Sequence, residues 1–127
     1  MNVNVSVKLN SKAIENLISA TRTAHKQTTE LLKEDIIISQ VVPKLSGALE
    51  DSCIVDLSSV FKGHTSISFN RPYAARLYFH PEFNFHQDKN KNAQGMWLED
   101  YIGGSKATFA KENFSKIFKE QAKGVIK

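Results

Sequence analysis

A long stretch with helical spacing, ended by a proline, constrains the fold of this chain more than any other feature. From Lys12 the apolar residues recur every three or four positions up to Val42, and Pro43 interrupts any helix that precedes it. One helix of that length would be about 45 Å long, whereas a compact domain of 127 residues is about 36 Å across. The sequence predicts either one helix that overhangs its own domain or two pieces broken near Thr28, where the segment is polar and rich in threonine.

Short strand patterns lie on both sides of this helix. Residues 3–9 alternate apolar and polar side chains, which predicts a half-buried strand. Residues 54–57 and 65–69 are predicted to form an antiparallel hairpin or meander with its turn at Gly63, and residues 73–79 fit either a short helix or a third strand. The predicted class is α+β, with a small antiparallel sheet packed against the long N-terminal helix and a C-terminal amphipathic helix.

Capping residues indicate where the remaining helices begin. Ser46 can cap a short helical turn that starts at Gly47, and Ser105 is the predicted N-cap of the last helix. One face of that last helix is predicted to pack in the core, opposite a face rich in lysine. The core face comprises Ala107, Ala110, Phe114, Ile117, Phe118, Gln121 and Val125.

The composition is that of one globular domain covering residues 1–127. It contains 41% hydrophobic and 24% charged residues, and a chain of this size can bury a core without metal or disulfide support. The lone Cys53 cannot form an internal disulfide, which favours intracellular synthesis. No stretch has the length of a membrane span or the character of a signal peptide. The sequence therefore predicts neither export nor a membrane partner.

The net charge of +4 arises in the C-terminal segment. Residues 106–127 contain six Lys and two Glu, whereas the acidic and basic residues before them balance. The segment contains no Arg, the residue best suited to forked phosphate contacts. A solvated lysine face is the main interpretation, and salt-dependent binding of nucleic acid is the alternative.

Residues that could support catalysis or metal binding form no recognised motif. Cys53 begins an apolar strand, which favours a buried thiol over a nucleophile. Two histidines and two carboxylates within nine residues could hold zinc if the chain were extended there, but their spacing matches no structural zinc motif. The sequence predicts no enzyme, catalytic residue, cofactor or metal site. The four residues of that cluster are His80, Glu82, His86 and Asp88.

A long aromatic and polar loop is predicted at residues 80–95. Loops of this length without regular structure are uncommon and usually functional. Seven of the twelve aromatic residues lie within residues 73–101. Some must serve the core, yet aromatic residues beside a polar loop also act as anchors in protein interfaces. The candidates for a subunit interface are Phe83, Phe85, Trp97 and Phe109.

Three motifs follow one another in a recognisable order. After the long helix, residues 41–52 read VVPKLSGALEDS, with a proline followed by Ser-Gly-x-Leu. Residues 71–100 read RPYAARLYFHPEFNFHQDKNKNAQGMWLED, in which a Tyr-Ala pair leads into an aromatic, Asn-rich loop and a Trp. Residues 107–120, ATFAKENFSKIFKE, form the closing amphipathic segment. In this order the chain resembles the head-tail joining, or minor capsid, proteins of long-tailed bacteriophages.

The resemblance implies a function as well as a fold. It implies a single head-tail joining domain over residues 1–127, a virion structural protein that acts without catalysis as a ring subunit in the neck between portal and tail. About six or twelve copies would close the ring. The implied partners are the chain itself, other phage neck and tail proteins and, in passing, packaged DNA.

The resemblance also implies a location and leaves other functions open. The protein would lie in the virion, and in the host cytoplasm during assembly. Glu50 and Asp51 stand where the family often has basic residues, which weakens any case for DNA contact. A tail terminator or tail completion protein is the nearest alternative function, and a small basic nucleic-acid-binding protein is a more distant one.

Overall fold

Helices and one β-hairpin make up the regular structure of the computed structural model, which describes residues 3–4 and 10–123. The predicted α+β class is confirmed. The predicted strand at residues 3–9 lies outside the described residues except for Val3 and Asn4, which belong to no regular element. The elements are α1 (Ser11–Ile38), α2 (Ala48–Asp51), β1 (Cys53–Asp56), a 3-10 turn (Val60–Lys62), β2 (Ser66–Phe69), α3 (Ala74–Tyr78), α4 (Glu99–Ile102) and α5 (Phe109–Ala122).

Helix α1 is continuous, which decides between the two predicted alternatives. Asn10 caps its first turn, because its side-chain oxygen accepts a hydrogen bond from the backbone N–H of Ala13 at 3.1 Å. No break occurs at Thr28. The neighbouring Thr29 also lies within the helix, and its hydroxyl donates to the backbone carbonyl of His25 at 2.8 Å. The threonine-rich middle is therefore compatible with one helix.

The end of α1 lies earlier than predicted. The helix stops at Ile38 rather than Val42, because Gln40 has a φ of 56° and cannot continue a right-handed helix in that conformation. With 28 residues, α1 is about 42 Å long. The part of α1 that was predicted to overhang the domain is covered, because α5 packs along α1.

Small residues allow α5 to pack closely on α1. Ala20 and Ala24 of α1 and Ala122 of α5 are buried, and the rings of His25 and Phe114 meet edge-on with centroids 5.9 Å apart. The predicted core face of α5 is correct in part. Phe114, Ile117 and Phe118 are half-buried, whereas Ala107, Ala110 and Gln121 are exposed and Val125 lies outside the described residues.

A charged cluster explains why the last helix begins later than predicted. Ser105 is not its N-cap, and α5 begins four residues further on. The Lys106 ammonium donates to Oδ2 of Asp35 at 2.8 Å and to Oγ of Ser39 at 2.7 Å. The Tyr101 hydroxyl donates to the same Asp35 oxygen at 2.6 Å. These bonds hold the preceding turn against the end of α1, and α5 starts only after that turn.

The same cluster predicts a stability change at acidic pH. Burial raises the pKa of Asp35, but hydrogen bonds from Lys106 and Tyr101 outweigh burial, so the pKa lies below its usual value. Stabilisation from a carboxylate of lowered pKa is present above the unfolded value of about 4 and is lost as the pH falls through the folded pKa. Asp35→Asn is therefore expected to lower the free energy of unfolding by about 1 kcal/mol at neutral pH and to flatten its dependence on acidic pH.

Urea denaturation followed by circular dichroism, repeated from neutral to strongly acidic pH, measures both effects. Asp88→Asn is the matched control, because Asp88 is exposed and this variant is expected to follow the wild-type profile. Parallel acid profiles for wild type and the Asp35 variant would contradict the assignment.

The hairpin forms as predicted. Cys53 pairs with Phe69 and Asp56 with Ser66 in an antiparallel register, and Gly63 supplies the turn with a φ of 76°. The segment with two predicted alternatives, residues 73–79, contains helix α3 rather than a third strand.

The hydrophobic core lies between the C-terminal half of α1 and the segments that follow it. Trp97 is 2% exposed, and its ring meets those of Phe69 and Tyr78 edge-on at centroid distances of 5.5 and 4.9 Å. Trp97 is therefore a core residue rather than the exposed interface anchor expected from the sequence. The buried core comprises Ile36, Val41, Val42, Leu49, Ala74 and Trp97.

Candidate subunit-contact site

An apolar pocket lies between the segment that follows α1 and the long loop. It has a volume of about 410 Å³ and is lined by residues 43–49, residues 83–86, Tyr73 and Leu77. Two of the predicted interface residues, Phe83 and Phe85, belong to this lining, and both are half-buried. We call this surface the Phe83/Phe85 pocket.

A glycine and an ion pair shape the first wall of the pocket. Gly47 has a φ of 89°, a conformation that residues with a Cβ rarely adopt. Lys44 and Glu50, on either side of it, form an ion pair at 2.8 Å. Ser46 contributes less than predicted, because its hydroxyl oxygen accepts only a long hydrogen bond of 3.3 Å from the backbone of Ala48. The wall therefore turns sharply from the end of α1 into α2.

A buried asparagine attaches the loop to this wall. Asn90 is 3% exposed, and its side-chain amide donates to the backbone carbonyl of Val42 at 2.9 Å and to Oε1 of Glu50 at 3.2 Å. Glu50 is also buried, and it receives the Lys44 ammonium on its other oxygen. The carboxylate thus has partners on both oxygens, which buried charged groups require.

Backbone hydrogen bonds extend this attachment. The N–H of Asn92 donates to the carbonyl of Gln40 at 3.1 Å, and the N–H of Gln94 donates to the carbonyl of Val41 at 3.1 Å. The Lys89 ammonium donates to the carbonyl of Leu45. These bonds satisfy the polar groups of the two segments, so a loop without helix or strand can keep a defined shape.

Aromatic stacking positions the rings at the pocket. His80 stacks on Phe83 with centroids 4.7 Å apart and planes at 8°, and Phe83 is 6.3 Å from Phe85. The Arg76 guanidinium lies 5.7 Å from the centre of the Phe83 ring. These contacts therefore restrict the positions of the two phenylalanine rings that line the pocket.

The residues considered for metal binding do not come together. His80 Nδ1 and Glu82 Oε1 are 2.7 Å apart, and this hydrogen bond lowers the pKa of Glu82. His86 lines the pocket instead, and Asp88 is exposed. Within residues 3–4 and 10–123, no three histidine, cysteine or acidic side chains are close enough to hold a metal ion.

The Cys53 thiol, considered above as a nucleophile, and the hydroxyl of the preceding Ser52 both have structural surroundings. Cys53 is buried, and burial raises the pKa of its thiol, which favours the protonated form at neutral pH. The Ser52 hydroxyl donates to the carbonyl of Leu49 at 2.6 Å. His64 is exposed in the turn before β2.

The remaining sequence candidates lie away from the pocket. Phe109 is half-buried and meets the ring of Tyr101 edge-on at 6.1 Å, because α5 begins at this residue beside the Asp35 cluster. The lysine face of α5 is exposed at the four lysines that belong to the described part of the helix and its C-cap. They are Lys111, Lys116, Lys119 and Lys123.

Two residues that shape the site were missed by the sequence reasoning. Asn90 and Glu50 form the buried contact between the two walls, a role that the sequence analysis does not assign to either residue. The Asn-rich run at residues 90–92 was the available signal, since asparagine can bond to backbone groups of neighbouring segments.

Comparison of the chain with models of known protein families, with curated proteins and with solved structures finds no match. Among the helices of the described residues, none is both long and apolar enough to cross a membrane.

Proposed function

We propose that this chain is a non-enzymatic structural protein of a phage virion, a subunit of the ring that joins head to tail. The observation that carries the proposal is the Phe83/Phe85 pocket. Its two walls come from residues 41–52 and 71–100, the segments that resemble phage minor capsid proteins. A contact surface at this place supports the resemblance, because both segments then contribute to one subunit contact.

The chemistry of the pocket suits an adjoining protein subunit. Leu45 is 72% and Tyr73 is 42% exposed beside the half-buried Phe83 and Phe85. Apolar residues grouped in this way on a surface mark sites of protein contact. Aromatic anchors that neighbouring side chains already hold in place lose little conformational freedom on binding.

Introduction of charge at Phe83 and Phe85 tests the contact. Phe83→Asp combined with Phe85→Asp is expected to abolish assembly into closed rings while the chain stays folded, because charged groups would enter an apolar interface. Negative-stain electron microscopy measures ring formation, and circular dichroism measures folding. Phe61→Asp is the control, since Phe61 is 70% exposed and lies over Arg22 on α1. Rings that form equally well with all variants would contradict the assignment of the pocket.

Inactivation of the gene in the phage that encodes this chain tests the function itself. Filled heads and finished tails that fail to join are expected. Tails of uncontrolled length would instead indicate a tail terminator, and normal infectious particles would exclude both functions. Steeply salt-dependent DNA binding by the purified protein, without any ring, would favour the nucleic-acid-binding alternative.

A further inference from the structure

The hairpin leaves one edge of β2 without a partner strand. In the described part of the chain the sheet contains only β1 and β2. The Asn70 N–H donates to the Ser52 carbonyl at 3.2 Å, so the hydrogen-bonded pairs of the ladder alternate from there and include Ser68. The backbone groups of Ile67 and the N–H of Phe69 consequently point away from β1, and the Phe69 carbonyl on that side accepts a hydrogen bond from the Arg71 N–H at 3.1 Å. This outer edge can pair with another strand.

A groove of about 230 Å³ runs beside this edge. It lies between β2 and α3, and Trp97 and Leu98 complete its lining. Phe79, which also lines it, is 68% exposed. A strand added at the edge of β2 would place every second side chain over this groove. The groove therefore favours a strand with one apolar face.

The segment before α1 has that pattern. Residues 3–9 read VNVSVKL, with apolar and polar residues in strict alternation. β2 alternates in the same way, with exposed serines between the half-buried Ile67 and Phe69. Val3 is 76% exposed. Added to β2, the segment would cover the groove with its valines and place its polar residues beside the serines. Open edges are usually protected by charge or proline, and β2 contains neither.

The segment cannot reach the groove of its own chain. The near end of β2 lies beside Thr29 of α1, because the hydroxyl oxygens of Thr65 and Thr29 are 2.6 Å apart. Thr29 is 19 positions beyond Asn10, which is about 28 Å along the helix. Residues 3–9, even fully extended, span at most about 25 Å. A segment from a second copy has no such constraint.

We propose that residues 3–9 of one copy add as a β-strand to the outer edge of β2 in a second copy. Backbone hydrogen bonds would supply affinity, and the valine face in the groove would supply specificity. The donating and accepting surfaces differ, so repetition of the contact closes a ring or extends a filament. Closure of these contacts into a ring rests on the proposed function, and strand addition is the contact by which neighbouring copies would join.

Charges on alternate faces of the segment test the donor. Val5→Asp combined with Val7→Asp is expected to reduce the particle mass, measured by light scattering, to that of a single chain. Asn4→Asp combined with Ser6→Asp is the matched control, because it adds the same charge on the opposite face of the strand and is expected to preserve assembly. Thermal melting followed by circular dichroism confirms that all variants remain folded.

A proline tests the acceptor. Ile67→Pro removes the N–H that points away from β1 and keeps the bonds between β1 and β2, so assembly is expected to be lost. Val55→Pro is the matched control, because it removes the N–H that points away from β2 on the opposite edge of the hairpin, and it is expected to assemble. Mixing the Ile67→Pro chain with the Val5→Asp, Val7→Asp chain leaves one working donor and one working edge. That mixture is expected to form dimers that grow no further.

The outcomes separate this inference from the proposed function. Wild-type assemblies that are unaffected by Val5→Asp with Val7→Asp would overturn strand addition and leave the ring proposal standing. A wild-type chain that stays single at its highest soluble concentration would overturn strand addition as well. If copies pair as described but gene inactivation leaves normal particles, strand addition is upheld and the neck function is excluded.

Discussion

Trp97→Ala is expected to lower the free energy of unfolding by about 3 to 5 kcal/mol. The indole ring is almost fully enclosed and packs edge-on against Phe69 and Tyr78, so its removal leaves a cavity that neighbouring side chains cannot fill. Domains of this size are stable by only about 5 to 15 kcal/mol, and a loss of this size leaves the variant marginally folded. Urea denaturation followed by far-ultraviolet circular dichroism measures the change without relying on the lost fluorophore.

Two matched variants separate packing from other effects at this position. Trp97→Phe keeps an aromatic ring and breaks no hydrogen bond, because the indole nitrogen has no partner among the described residues; a loss of about 1 to 2 kcal/mol is expected. Phe79→Ala removes an exposed ring from the same neighbourhood and is expected to cost less than about 0.5 kcal/mol. A Trp97→Ala variant as stable as wild type would contradict the assignment of Trp97 to the hydrophobic core.

Gly95→Ala is expected to open the base of the long loop and lower the free energy of unfolding by about 1 to 3 kcal/mol. A Cβ at this position would lie 2.6 Å from Cα and 2.9 Å from the backbone nitrogen of Pro81. Backbone atoms cannot move aside as the end of a side chain can, so the two ends of the loop must separate. The Phe83/Phe85 pocket would lose one wall as a result.

Limited trypsin digestion detects this opening, because Lys89 and Lys91 lie within the loop. The Gly95 variant is expected to be cleaved there faster than wild type. Gly103→Ala is the matched control, since a Cβ at Gly103 meets nothing within 4 Å, and wild-type cleavage and stability are expected for it. Unchanged cleavage in the Gly95 variant would show that Pro81 and Gly95 do not close the loop.

The part of the fold that follows from local pattern was predictable. The apolar spacing after Lys12 predicts a long helix, and two β-rich segments around Gly63 predict a hairpin. Both predictions are confirmed, because side-chain periodicity records which face of an element is buried. Local pattern could not decide whether the threonine-rich middle interrupts the helix, because that depends on the packing of α5 along α1.

Contacts between distant segments account for the features in which the structure differs from the sequence predictions. Ser105 has the chemistry of an N-cap, but the Lys106 side chain is bonded to Asp35, 71 positions away, and the helix begins after that anchored turn. The burial of Trp97 similarly depends on Phe69 and Tyr78 from two other elements. The sequence shows that aromatic residues are grouped along the chain, and packing decides which of them are buried.

The candidate site also has a part that the sequence determines and a part that depends on the tertiary structure. The sequence by itself determined that Phe83 and Phe85 lie in a long aromatic and polar loop, because turn-forming residues and the absence of periodicity are local properties. Only the tertiary structure decided that this loop faces the segment after α1 and forms a pocket with it. That arrangement depends on Asn90, which lies 48 positions from the carbonyl of Val42 that it binds. The Asn-rich run at residues 90–92 indicates that such a hydrogen bond can form, but spacing and composition do not identify its partner, since the bond exists only when the core has brought both segments together.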